Sequence, residues 1–139
     1  MRLTAKVDYA LRAVCALAQA RPESMTSDAV AESEGVPRRF LETILTDLRR
    51  GGLVASRRGP DGGHQLVVDP DQLSIADVIR IIDGPLATVR NLRPEELEYV
   101  GASRHLADVW LELRRHERAL LEGVTIGHVI RGESPEITC

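Results

Sequence analysis

The stretch "VPRRFLETILTDLRRGGLVASRRGPDGGHQLVV", residues 36–68, decides the fold. In its first half Phe40, Leu41, Ile44, Leu45 and Leu48 recur at spacings of three and four, which predicts the inner stripe of a helix. Arg38, Arg39, Glu42, Thr43, Thr46 and Arg49 then face outward. Pro37 suits the helix start, and Gly51 with Gly52 stops it. "LVASR" and "HQLVV" follow as short strands around a glycine-rich reversal with Arg57 and Arg58 at its edge. Gly59, Gly62 and Gly63 let such a hairpin turn tightly and bring its backbone close to a surface. These glycines lead into a strand, not into a helix carrying Lys and Ser/Thr, which argues against a nucleotide-type phosphate loop.

Upstream, "MTSDAVAESEG" reads as a short helix capped by Thr26 or Ser27, with Ala29, Val30 and Val36 on its buried side and Gly35 closing it. A short helix, a turn through glycine and a second helix with an arginine-tipped outer face make a helix-turn-helix, and the hairpin makes its wing. Before this lies an amphipathic helix over residues 3–20, with Leu3, Val7, Ala10, Leu11, Val14, Leu17 and Ala18 on one face and Thr4 as cap. Downstream, "SIADVIRIIDGP" reads as a helix capped by Ser74, burying Ile75, Val78, Ile79 and Ile82. Residues 86–102 have weak periodicity and read as loop, with a turn of helix near 94–99. A long late helix follows, its stripe being Leu106, Val109, Trp110, Leu113, Leu120 and Leu121, interrupted by His116 and Glu117. A short helix capped by Thr125 closes the pattern.

The expected organisation is a DNA-binding-type unit over 1–83, a sensor-like loop over 84–103, a long helix and closing helix over 104–132, and a tail over 133–139. Charge divides along the chain. Residues 1–68 hold 10 Lys/Arg against 8 Asp/Glu, and residues 69–139 hold 8 against 13. A basic half joined to an acidic half fits a nucleic-acid reader with a separate oligomerisation or sensing part. No apolar run approaches the roughly 20 residues that span a bilayer, and no signal-peptide pattern opens the chain, so a cytoplasmic protein is expected. Cys15 and Cys139 lack any metal-ligand spacing, and no nucleophile–base constellation is visible, so neither a zinc site nor an enzyme is expected.

With these motifs in order, the chain resembles the IscR/NsrR-type bacterial transcription regulators, the Rrf-two family. The resemblance rests on "MRLTAKVDYALRAV", "VPRRFLETILTDLRRGGLV", "RRGPDGGHQL", "SIADVIRIIDGPL", Trp110 in a late helix and "VTIGHVI". It implies a mainly α fold with a small β-hairpin: a winged helix-turn-helix plus a long C-terminal dimerisation helix. It further implies a homodimer on double-stranded DNA, recognition helix in the major groove and wing in the minor groove. Carried over on that basis are Pro37, Arg38, Arg39, Glu42, Thr43 and Arg49 on the helix, and Arg57, Arg58, Gly59, Gly62 and Gly63 on the wing. Leu106, Val109, Trp110, Leu113 and Leu120 are carried over to the dimer interface.

Two departures stand out in the DNA-binding unit: Pro37 replaces a small hydroxyl residue, and His64 replaces the wing's usual tyrosine. A third concerns sensing. Many relatives hold an iron–sulfur cluster through three cysteines, and here Leu92, Glu98 and Arg104 fall about where these would stand, with Ala107 at a histidine position. Such clusters require thiolate, so no cofactor is expected, although Asp8 matches a position that ligates from the partner subunit in some relatives. Arginine at a helix N-terminus opposes the dipole, which favours a DNA role for Arg38 and Arg39 over a solvated face. Glu42 either accepts from a cytosine amino group or pairs with a neighbouring arginine, and the residues do not choose. The expected reading is a regulator, more a repressor than an activator, with a small-molecule or protein effector as a candidate further partner. One alternative keeps the fold but acts chiefly by binding a partner enzyme; another is a small-molecule-responsive operator binder with a pocket between the 84–103 segment and the dimer helix.

Overall fold

A computed structural model describes residues 2–60 and 62–133 of the chain. The elements run α1 (Ala5–Ala20), α2 (Ser27–Glu34), α3 (Arg38–Arg50), β1 (Val54–Arg57), β2 (Gly63–Leu66), α4 (Ile75–Asp83), α5 (Leu106–Gly123) and α6 (Ile126–Arg131). Short 3-10 turns occupy Pro70–Gln72, Pro94–Glu96 and Gly101–Ser103. The helical turn expected near 94–99 is therefore one 3-10 turn.

Local chemistry explains the helix ends. Thr4, Thr26, Ser74 and Thr125 each accept a hydrogen bond from a backbone N–H of the first turn they cap. Gly35 closes α2 with φ 65°, a left-handed conformation that costs glycine nothing. α3 begins differently, with Pro37 preceding its first turn and no side chain capping it.

The core is built on α1 and α3. Val14 and Leu17 of α1 pack with Leu41, Ile44, Leu45 and Leu48 of α3, Val30 of α2, Leu66 of β2 and Val78 of α4. Burying each of these larger side chains contributes roughly 1.5–3 kcal/mol. Ile126 of α6 is fully buried in the same cluster, and Ser74 and Thr125 form a backbone bridge, so the chain's late end returns to the first unit. β1 and β2 pair antiparallel, with Val54 opposite Leu66 and Arg57 opposite Gly63.

Two residues expected inside lie outside. Leu3 precedes α1 and is 56% exposed. Phe40 is 42% exposed because it sits at the edge of the α3 stripe, where Tyr9 of α1 covers one side of it, ring centroids 5.7 Å apart. No residue of α5 is buried. Among the described residues no helix is long and apolar enough to cross a membrane.

Candidate nucleic-acid interface

α3 turns its buried stripe to the core and leaves Arg38, Arg39, Glu42, Thr43, Arg49 and Arg50 exposed. No side chain caps the first turn of α3; Phe40 N–H donates to the Pro37 carbonyl at 3.0 Å, so only the N–H groups of Arg38 and Arg39 face outward for an acceptor such as a phosphate oxygen. Arg38 donates to Asp28 of α2 at 2.7 Å and forms an ion pair with Glu42 one turn on. Glu42 is therefore paired with arginine in the free chain, and the Arg38 hydrogen bond holds its carboxyl below the usual range. Arg39 has no carboxylate partner among the described residues; its guanidinium lies over the Phe40 ring, 4.7 Å from the centroid.

The wing is knitted to the helix pair. His64 and Met25 exchange both backbone hydrogen bonds, at 2.7 and 2.9 Å. A Cβ on Gly63 would stand 2.5 Å from the Met25 carbonyl oxygen, and one on Gly62 would stand 2.5 Å from that of Arg57. The close approach these glycines allow is thus first of all to the chain's own backbone. The His64 ring is hydrogen-bonded on both nitrogens, to Ser27 Oγ at 3.0 Å and to Ser56 Oγ at 3.1 Å. Arg49 donates to the same Ser56 hydroxyl at 3.2 Å. Burial, with Arg49 and Arg38 nearby, holds His64 below the usual imidazole range against the pull of Glu42. A neutral ring donates from one nitrogen and accepts at the other, and hydroxyls can answer both. α2, α3 and the wing therefore share one polar network.

Arg57 and Arg58 stand exposed at the wing's edge with no carboxylate partner among the described residues. α3 exposes Arg38, Arg39, Arg49 and Arg50, and the wing exposes Arg57 and Arg58. What the sequence did not show is the joining of elements: Ser27, legible only as a cap candidate, and His64, legible only as a departure in the wing, meet Ser56 in the network, and the sequence did not single out Lys6 and Tyr9 on α1. Lys6 pairs with Asp47 of α3 at 2.7 Å. A groove of about 250 Å³ lined by Lys6, Tyr9, Phe40 and Thr43 runs beside the recognition face. Of these, Phe40 and Thr43 gave a sequence signal: Thr43 was expected on the outer face, and periodicity assigned Phe40 to the core.

In α5, Leu106, Val109, Leu113 and Leu120 are exposed, Val109 at 54%. Trp110 is half-buried against its own chain, its indole N–H donating to the Tyr99 hydroxyl at 3.0 Å. Glu117 lies on that inner side, its carboxylate oxygens buried without a hydrogen-bond partner, and burial raises its carboxyl. His116 Nε2–H donates to the Glu112 carboxylate at 3.1 Å.

A helix-turn-helix with an arginine-edged wing, followed by a long C-terminal helix, is the frame of a winged-helix DNA reader. The profile of the Rrf2 family, described as "Iron-dependent Transcriptional regulator", matches residues 3–132. The chain belongs to that family. It is 44% identical to Rv1287 of Mycobacterium tuberculosis, whose name places it among HTH-type transcriptional regulators, over 98% of this chain and 85% of that one. It is 32% identical to the HTH-type transcriptional regulator CymR of Bacillus subtilis, over 91% of this chain and 87% of the relative. The solved structure of B. subtilis CymR, titled the global cysteine regulator, superposes with a TM-score of 0.80 at 25% identity, covering 96% of this chain and 99% of that one. The T. potens IscR structure has the same fold, with a TM-score of 0.77, 24% identity, and coverage of 95% of this chain and 88% of that one. The chain is an HTH-type transcription regulator, and its relatives are regulators rather than enzymes.

The family description raises the question of iron. Cys15 is half-buried on α1 with its thiol pushed up to about 11 by burial and by the Glu34 charge, and no other cysteine occurs before Cys139, which lies outside the described residues. Asp8 is engaged by Arg12 at 2.7 Å. Among the described residues no three His, Cys, Asp or Glu side chains are placed to hold a metal ion. These residues do not fit a thiolate-held cluster.

Proposed function

We propose that the protein is a homodimeric, sequence-specific repressor that binds double-stranded DNA without an iron–sulfur cluster. The observation that carries this reading is the shared network of α3 and wing, which holds Arg38, Glu42 and Arg49 in fixed relation to the hairpin. α3 enters the major groove. Arg39 reads a base edge there, Thr43 and Phe40 lie against thymine methyls, and Arg38 with Glu42 acts as a paired unit. Arg57 and Arg58 enter the adjoining minor groove, whose negative potential attracts guanidinium. Gly62 and Gly63 hold the hairpin in the shape that presents them. Phosphate contacts supply affinity and salt dependence, and base contacts supply sequence preference.

Two copies join through Leu106, Val109, Leu113 and Leu120 of α5, with Trp110 bracing the helix from its own side. This covers an apolar stripe that otherwise stays wet. Two recognition helices then stand about 34 Å apart, one turn of DNA. The C-terminal half is the sensing half and answers to an effector. The test is selection of bound duplex fragments from the source genome, followed by footprinting. The account expects two protected patches one turn apart related by a dyad. Recovery of random fragments only, or of a single unpaired patch, would refute it.

A further inference from the structure

Arginines far apart in the chain meet around one cavity of about 510 Å³ between α4, the segment after it and α5. Arg80, Arg93, Arg114 and Arg118 line it, with Glu95 and Glu122. Four guanidiniums against two carboxylates leave a local surplus of two positive charges, in the half of the chain that is acidic overall. The carboxylates act as struts. Glu122 accepts from Arg80 at 2.5 Å and from Arg118 at 3.2 Å, and Glu95 accepts from Arg114 at 2.5 Å. Asp77 lies 4.0 Å from Arg80 but serves chiefly in the cap of α4.

A guanidinium carries five N–H donors, so each strut leaves most of them free for an acceptor in the cavity. Arg93 donates its backbone N–H to Glu96 at 2.7 Å, but its guanidinium forms no ion pair among the described residues, and the Arg114 side chain is only 25% exposed. Arg114 and Arg118 are one turn apart on α5, where like charges repel unless an anion lies between them. The cavity also stays clear of the apolar stripe. At 3.6 residues per turn, Arg114 and Arg118 point about 80–120° around α5 from Leu106, whereas Val109, Leu113 and Leu120 point about 300–340°. A second copy seated on the stripe leaves the cavity open.

We infer that this cavity binds a small organic dianion, a phosphomonoester or a dicarboxylate, gripped by Arg114 and Arg118 with Arg80 and Arg93 closing on it. Planar guanidinium forks match both anion types through paired N–H bonds. The assignment rests on the reading of the C-terminal half as the sensing half and names the class of its ligand. Bound there, the ligand ties α4, which packs on the DNA-reading core, to α5.

The test is calorimetry on the full chain, free of DNA and at low ionic strength, with phenyl phosphate, succinate, acetate and benzyl alcohol as probes. One of the two dianions is expected to bind at least about tenfold more tightly than acetate, with benzyl alcohol weaker still, and the better dianion identifies the ligand type. Arg114→Gln is expected to weaken that binding by about tenfold or more. Arg115→Gln removes the same charge from the same helix at a position 76% exposed, and should leave binding within about twofold. Failure of both dianions to exceed acetate overturns the site, and that ranking needs no variant to fold. Equal weakening by Arg114→Gln and Arg115→Gln overturns it in favour of general attraction. Unchanged probe binding in Arg114→Gln with weakened duplex binding overturns it in favour of an extended DNA surface. Because the readout uses protein alone, failure of DNA binding would leave this result standing.

Discussion

α3 and α5 are both amphipathic helices ending in a glycine-containing turn, yet they meet their surroundings in opposite ways. α3 buries Leu41, Ile44, Leu45 and Leu48 against its own chain and exposes a charged face. α5 buries none of its 18 residues and exposes leucine and valine instead. One helix is covered by its own chain, and the other leaves its apolar stripe open, where we propose that a second copy docks. The lesson is that an apolar stripe predicts burial only together with what the topology lays across it.

That contrast orders the tests. Leu48→Ala should cost about 2–5 kcal/mol in urea unfolding, since it opens a cavity in a closed core. Leu113→Asp should instead leave the far-ultraviolet spectrum intact and shift the species seen by light scattering from dimer to monomer. If Leu113→Asp unfolds the chain and Leu48→Ala does not, the two helices have been assigned the wrong way round. On the charged face, Arg39→Ala should weaken binding to a selected duplex by about 1–3 kcal/mol and relax its specificity, read by competition with mismatched duplexes. Arg57→Ala should weaken all duplexes alike and lower the slope of log K against log salt by about one.

The smallest expected effect concerns Glu117. Its folded carboxyl is raised by burial, so the unfolded chain gives up the proton at lower pH. Stability is thus lost as pH rises from the ordinary glutamate value through the raised folded one. Glu117→Gln should raise the melting temperature at pH 8 and change it little at pH 4. A variant that melts lower at pH 8 would mean that the carboxylate has a partner.

How far could the chain be read without coordinates? Helix boundaries were legible because caps are local: Thr4, Thr26, Ser74 and Thr125 each act within three residues of themselves. The wing was legible from its glycines, and the exposed arginines from the period of α3. Phe40 was misassigned because periodicity cannot see that α1 crosses beside it and leaves its ring half open. The links from His64 to Ser27 and Ser56 span 37 and 8 residues and follow no pattern along the chain. The arginine-lined cavity was invisible for the same reason: Arg80 and Arg118 are neighbours only because α5 folds back on α4.

Sedimentation of the chain with a genome-selected duplex, repeated over a salt series, tests the central claim most directly. The account predicts a complex of two chains per duplex whose log K falls linearly with log salt, as several phosphates shed their counterions. A single chain on the duplex, or an affinity indifferent to salt, would contradict it.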